Sequence, residues 1–540
     1  MGKIAHANVG NELSATEWEV NTLHTIDGTS SLEITRSNTY VIAASDSSAA
    51  GKAQADAKCD GTTDDVEIQA AIDALTGGGT IQLLEGTFNC DAINLASNIT
   101  IRGMGRSTIL NMNGAGIGQY PNKTLLYFSG VSNVELSDFK VTVSTSFPAY
   151  PDGYHVINYD VTSHDLVFRD LYLLGKSTTT AGDFGIIGRG YDVKIIDVLA
   201  EYFLRDFNFS EDSANVWLIR PIARYTPASA DWSVVGIEIE DGVNGVHVID
   251  AHVEDIESHI GQPGWGISVK THAGKSANEN IRIVRPTIIN ADNAAFYYSN
   301  TKDLVIEDMY VKDCSNVFNY HGSGGNMVGW KIRGGHVINT PINIITYWED
   351  LTIDGLTVNT TTDANQSMYI LGSGVAATID NLKLLNLDIQ DTNPLYTMHL
   401  RNINGFRIAG CTLDSIDQRA IRTSGDYLTN GIIESNDFRG NSIAVFTFGA
   451  TDGSNVRIQN NQGYVTENWG TATLLNANTS ITVAHGLSTT PTIVLITFAE
   501  NPTNVIGDWW VDTLGTTNFV FNGVDPGASN LDFYWEAKVR

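Results

Sequence analysis

Cysteine, proline and basic residues are all scarce in this sequence, and each shortage excludes something. Four cysteines, Cys59, Cys90, Cys314 and Cys411, show no CxxC or CxxH spacing, which argues against a structural zinc site. Cys59 and Cys90 flank one short unit, so they read either as a disulfide or as two isolated thiols, and the redox compartment stays open. Proline is rare, 12 against 51 glycines, and with 42% apolar and 17% charged residues the composition is that of a folded chain. Only 32 lysines and arginines face 61 acidic residues, a formal net charge of −29. That balance argues against nucleic acid or an anionic membrane as partner. It suits a neutral glycan better than an anionic one, unless a local basic groove overrides it. No run of about 20 apolar residues is present, so membrane insertion is not expected. The first 20 residues lack the apolar stretch of a secretory signal. Amphipathic helix is scarce too, with one good segment, 63–75, carrying Val66, Ile68, Ala71, Ile72 and Leu75 on one face; Asp64 or Asp65 is its expected N-cap.

What is present is a repeat. From residue 98 a phrase recurs: Asn or Asp, an apolar residue, any residue, an apolar residue, a turn, then a second short strand. "NITIRG" at 98, "HDLVFRDLYL" at 164, "ENIRIVRPTI" at 279 and "DNLKLLNLDI" at 380 are examples, and most copies are spaced 21 to 35 residues apart. A weaker copy, "NGIIESNDF", lies at 430. A unit this short cannot bury its own apolar face, so successive units must stack. Variable steps around a constant strand core fit neither leucine-rich repeats nor propeller blades. They fit a parallel β-helix of about 13 or 14 coils over 98–467, preceded by a capping region, 46–97, that covers its otherwise open end. Residues 1–45 read as a leader or attachment segment. After about 468 alternating strands separated by turn residues predict an antiparallel β-sandwich. Its aromatics, among them Trp509, Trp510, Tyr534 and Trp535, read first as core, and otherwise as a sugar platform or subunit interface.

The stretch "CDGTTDDVEIQAAIDALTGGGTIQLLEGTF", residues 59–88, resembles the opening motif of the pectate-lyase-like right-handed β-helix superfamily, found in phage tailspikes and polysaccharide depolymerases. The resemblance implies a right-handed parallel β-helix, a polysaccharide or cell-surface glycan as ligand, a homotrimer, and an extracellular or virion-associated location. It does not name the reaction, because the superfamily includes hydrolases, lyases, epimerases and adhesins.

The chemistry centres on "VVGIEIEDGVNG", residues 234–245, where three carboxylates fall within four positions. Stacking the strands by their inward residues places Ile237 and Ile239 inside, with Glu238 and Glu240 outside. Glu238 then shares an outward column with Asn208, Ser268 and Tyr297, and Glu240 one with Ser210, Lys270 and Ser299. Glu211, Asp241 and His272 gather at the turn. Two outward carboxylates on one strand approach the spacing of an inverting glycosidase, and a pair across coils that of a retaining one. In this reading Glu240, beside Lys270, is the base, and Glu238 or Asp241 the acid. Trp265, Tyr297, Tyr298 and Tyr320 are candidate sugar-stacking residues.

The alternatives are a non-catalytic adhesin, in which Glu238 and Lys270 form an ordinary cross-strand ion pair, and a lyase. A lyase would use Lys270 or His272 as base, and calcium is then possible on Glu238, Glu240 and Asp241. No cofactor is expected for a hydrolase. Neither a polygalacturonase pattern nor a GxSxG elbow occurs.

Overall fold

The computed structural model describes residues 38–113, 124–144, 154–176, 184–226, 233–258, 263–320, 327–345, 347–360, 366–372, 379–391, 396–415, 419–423, 428–441, 446–447, 455–499, 508–527 and 529–539. Residues 1–37 of the expected leader lie outside this set. The chain forms two compact units, Met1–Ile222 and Ala223–Arg540.

The recurring Asn or Asp is a backbone device. In the first unit Asn98, Asn133, Asp165, Asp192 and Asn215 have φ between +52° and +63°. In the second, Asn280, Asp303, Asp350, Asn381, Asn430 and Asn455 do the same, with Gly245, Gly329 and Gly405 at the equivalent places. Asn, Asp and Gly tolerate the left-handed region that other residues avoid, so each coil can bend sharply into its next strand. Side chains also bond along the stack. Asn133 Nδ2 donates to Asn98 Oδ1 at 2.9 Å, and Asn455 Nδ2 to Asn430 Oδ1 at 3.0 Å.

The apolar positions after each bend form interior columns. Val134, Leu166, Val193 and Val216 stand in register in the first unit. Ile283, Ile306, Ile332, Ile353, Leu384, Ile408 and Ile433 do so in the second, and all are buried. Each such side chain contributes about 1.5–3 kcal/mol of burial, and the parallel register repeats it coil after coil. The described strands that precede the C-terminal segment are thus those of a parallel β-helix.

Two helices, α1 (Ala49–Gln54) and α2 (Asp65–Ala74), lie within residues 46–97, the region expected to cap the coils. α2 buries Ile68, Ala71 and Ile72, but Val66 is exposed, so the apolar face is narrower than its sequence suggests. Asp64 precedes α2 without capping it through its side chain. Its carboxylate instead accepts from Gly61 N and Asn89 N, both at 2.7 Å, tying the Asp-Gly turn to strand Gly86–Cys90. All four cysteines are free and buried, which decides between thiols and a disulfide.

The C-terminal segment has two three-stranded antiparallel sheets. Leu474, Phe519, Phe521, Phe533 and Trp535 form its core, while Trp509, Trp510 and Tyr534 are exposed.

In each unit, a parallel sheet bears on the site. In the first unit it comprises β1 (Ile93–Asn94), β2 (Thr124–Phe128), β3 (His155–Tyr159), β4 (Phe184–Gly188) and β5 (Arg205–Ser210). In the second it comprises β6 (Val234–Glu240), β7 (Gly264–Lys270), β8 (Ala294–Tyr298) and β9 (Phe318–Tyr320).

Candidate functional site

The alternation of "GIEIE" sets the site's geometry. Ile237 and Ile239 of β6 are fully buried and pair with Ile267 and Val269 of β7. Glu238 lies opposite Ser268, which lies opposite Tyr297, and Glu240 lies opposite Lys270. The outward columns expected within the second unit are therefore in register.

Lys270 is the hub. Its Nζ lies 2.8 Å from Glu238 Oε1 and 3.5 Å from Glu240 Oε2. The Glu238 and Lys270 side chains are 2% and 8% exposed, whereas that of Glu240 is 18% exposed. A charge pair so deeply desolvated holds together because either charge alone would be far costlier. Glu238, more than Glu240, makes the close contact to the lysine.

Asp241 follows at the end of β6, with φ of +64°, and Gly242 continues the turn at +86°. His272 donates its backbone N–H to Asp241 Oδ1 at 2.7 Å, and its Nδ1 lies 2.9 Å from Asp241 Oδ2. The same Nδ1 is 3.9 Å from Glu240 Oε2, and the imidazole is about half exposed. Asn278, fully buried, braces the turn: its Nδ2 donates to Lys270 O at 2.8 Å, and its Oδ1 accepts from Val243 N at 3.0 Å.

The aromatic residues divide between two faces. Trp265 and Tyr297 stack at 3.6 Å with planes 8° apart, and Lys270 Nζ lies 5.9 Å from the Trp265 ring. The Trp265 indole donates to Asn293 Oδ1 at 3.2 Å. Burial, then the Glu238 charge, raise the Tyr297 phenol well above its ordinary range, so it stays a neutral donor. Tyr298 points the other way: it is buried inside the coil against Trp330 and Trp348, and its hydroxyl donates to Ile345 O at 3.2 Å. It is a core residue and no platform for sugar. Tyr320 is half-buried with its ring 5.9 Å from that of Tyr298. Glu211 belongs to the first unit, where its carboxylate pairs with Arg189 at 3.1 Å.

Glu240, Asp241 and His272 present ligand atoms within 4.8 Å of one another. An imidazole donor and the nearby Lys270 ammonium suit calcium poorly, since that ion takes oxygen ligands.

Sequence reasoning missed Asn278 and Asn293, which read as ordinary loop residues. It also missed Asp206 of β5, which is fully buried. Burial, then the nearby Glu201 charge, push its carboxyl well above the usual range, with the Phe203 backbone the one favourable neighbour.

No family model matches the chain, and no curated protein matches it. Solved structures do. A tailspike mutant of E. coli bacteriophage HK620, in complex with a pentasaccharide, is 12% identical over 89% of this chain and 90% of its own, with a TM-score of 0.50. This is a right-handed parallel β-helix. Two further β-helix neighbours are tailspike gp49 of Pseudomonas phage LKA1 (11%; 87% and 92%; TM-score 0.48) and the A-module of the Azotobacter vinelandii mannuronan C-5 epimerase AlgE6 (14%; 74% and 96%; 0.45).

Proposed function

We propose that this β-helix binds a polysaccharide and hydrolyses it with the carboxylates at the end of β6. The observation that supports this most is the meeting, on one outward face, of a reachable carboxylate, a carboxylate–imidazole pair and a stacked aromatic pair. Glu240 is the most accessible of the clustered glutamates and acts as base or nucleophile. The Asp241–His272 pair, 2.9 Å apart, supplies the proton to the glycosidic oxygen. Lys270 and Glu238 hold the floor of the site rigid. Trp265 and Tyr297 offer a hydrophobic edge to the sugar.

The nearest oxygens of Glu240 and Asp241 lie within 4.8 Å. That is short of the roughly 6.5–9.5 Å an inverting enzyme needs for an intervening water, and nearer the roughly 5–5.5 Å of a retaining one. Proton NMR of the first-formed anomer tests this reading: retention supports it, and inversion defeats it.

The second reading is a glycan-binding protein without turnover. It is favoured by the nitrogen partner of each carboxylate, Lys270 for the glutamates and His272 for Asp241, as in a purely structural cluster. Binding of a glycan without new reducing ends would establish it. Assembly as a homotrimer and attachment to a virion are part of the same proposal, and light scattering of the purified chain tests the trimer.

A further inference from the structure

A second sheet of the Ala223–Arg540 unit comprises β10 (Ile342–Ile345), β11 (Gln366–Leu371), β12 (Tyr396–Arg401), β13 (Arg419–Thr423) and β14 (Phe446–Thr447). Its inward columns are apolar, with Ile344, Ile370 and Leu400 in register. The positions between them carry Tyr369, His399 and Arg422, also in register. Tyr396 joins this group. The Arg422 guanidinium lies 4.6 Å and that of Arg419 6.0 Å from the Tyr396 ring centre, and the His399 ring is 4.8 Å from that of Tyr369.

Many of the other described arginines are paired with acids. Arg102, Arg169, Arg220, Arg282, Arg285 and Arg407 each meet a carboxylate within 3.2 Å. Among the described residues, Arg401, Arg419 and Arg422 meet none within 4.0 Å. Three cations for which the described residues provide no carboxylate within 4.0 Å are thus gathered around two tyrosines and a histidine. Desolvation, then the Arg422 and Arg401 charges, hold His399 down at about 4, so the imidazole is neutral beside these cations. Guanidiniums present paired donors that match a carboxylate, and tyrosine faces match the apolar side of a sugar ring.

We propose that this face binds an acidic sugar unit, with Arg419 and Arg422 holding its anionic group and Tyr369 and Tyr396 its ring. The ring contacts already fix both guanidiniums, so little ordering is needed on binding. None of the residues proposed for hydrolysis takes part, so either idea can fail alone.

The test is calorimetry on the full chain carrying Glu240→Gln, which removes the residue proposed for turnover. It is titrated with oligogalacturonate, oligomannuronate, oligosialate and chondroitin sulfate oligosaccharides, each beside its methyl-esterified or desulfated form. The proposal expects at least one acidic form to bind tenfold or more tightly than its neutralised twin. That affinity falls with salt, and falls at least tenfold again in Arg419→Gln and Arg422→Gln. Which arm binds distinguishes carboxylate from sulfate. In the same host, without an arginine change, NMR titration of His399 shows its pKa rising when the acid binds. Equal affinity for charged and neutralised forms, no binding by any acidic form, or unaltered affinity in folded arginine variants overturns the proposal.

Discussion

Lys270 Nζ stands 2.8 Å from Glu238 Oε1, and both side chains are sealed from solvent. Removing one partner weakens the hold on the other: Glu238→Gln takes away the 2.8 Å carboxylate contact of Lys270, with Glu240 farther off at 3.5 Å. A fully orphaned buried charge costs about 3–5 kcal/mol, and the remaining contact reduces the expected loss to about 2–3 kcal/mol. Denaturant midpoints should show that loss. The double variant Glu238→Gln with Lys270→Met should recover most of it, because the two most deeply buried charges are then both gone and Glu240 is the more exposed of the three.

The ladder of left-handed residues makes a second prediction. Asn381 has φ of +59°, and its Nδ2 donates to Asp350 Oδ1. Asn381→Ala loses both the hydrogen bond and the tolerance for that conformation, at about 1–2 kcal/mol. Asn381→Gly keeps the conformation and should cost less. Equal losses in the two variants would remove the conformational half of the explanation.

Asp206 and His399 bend the pH–stability curve in opposite directions. Asp206 has a raised pKa in the fold, so the native state keeps a proton that the unfolded chain has lost, and stability falls as pH rises above about 4. Asp206→Asn should therefore raise the unfolding temperature at pH 7 and do little at pH 3.

His399 is held at about 4 against an ordinary 6.5, so the unfolded chain binds its proton first as pH falls. Stability from the neutral imidazole is present above pH 6.5 and is lost between 6.5 and 4. After allowance for solvent screening the loss is on the order of 1–2 kcal/mol. His399→Gln should flatten that interval in unfolding scans run from pH 7 to 4.

Much of the architecture is legible from residue types because the constraint is local. Asn, Asp or Gly before an apolar–any–apolar phrase marks the bend of each coil, and the inward Ile237 and Ile239 set the register that aligns Glu238 with Ser268 and Tyr297. Side-chain direction beyond that register is not local. Tyr297 and Tyr298 are adjacent and chemically alike, and only the positions of Trp330 and Trp348 show which one is core. Opposite Glu240 in register, Lys270 still reaches back to Glu238, a choice made by burial depth. Asp206, between Arg205 and Phe207, reads as an ordinary outward acid until its complete burial is seen.

The central claim rests on Glu240, and one measurement bears on it most directly: release of new reducing ends from a polysaccharide panel by the wild-type chain and by Glu240→Gln. The account predicts new ends without the ultraviolet absorbance of an unsaturated uronate, and a rate at least about 10²–10⁴-fold lower in the variant with glycan binding kept. Cleavage that continues undiminished in Glu240→Gln, or ends that carry that absorbance, would contradict it.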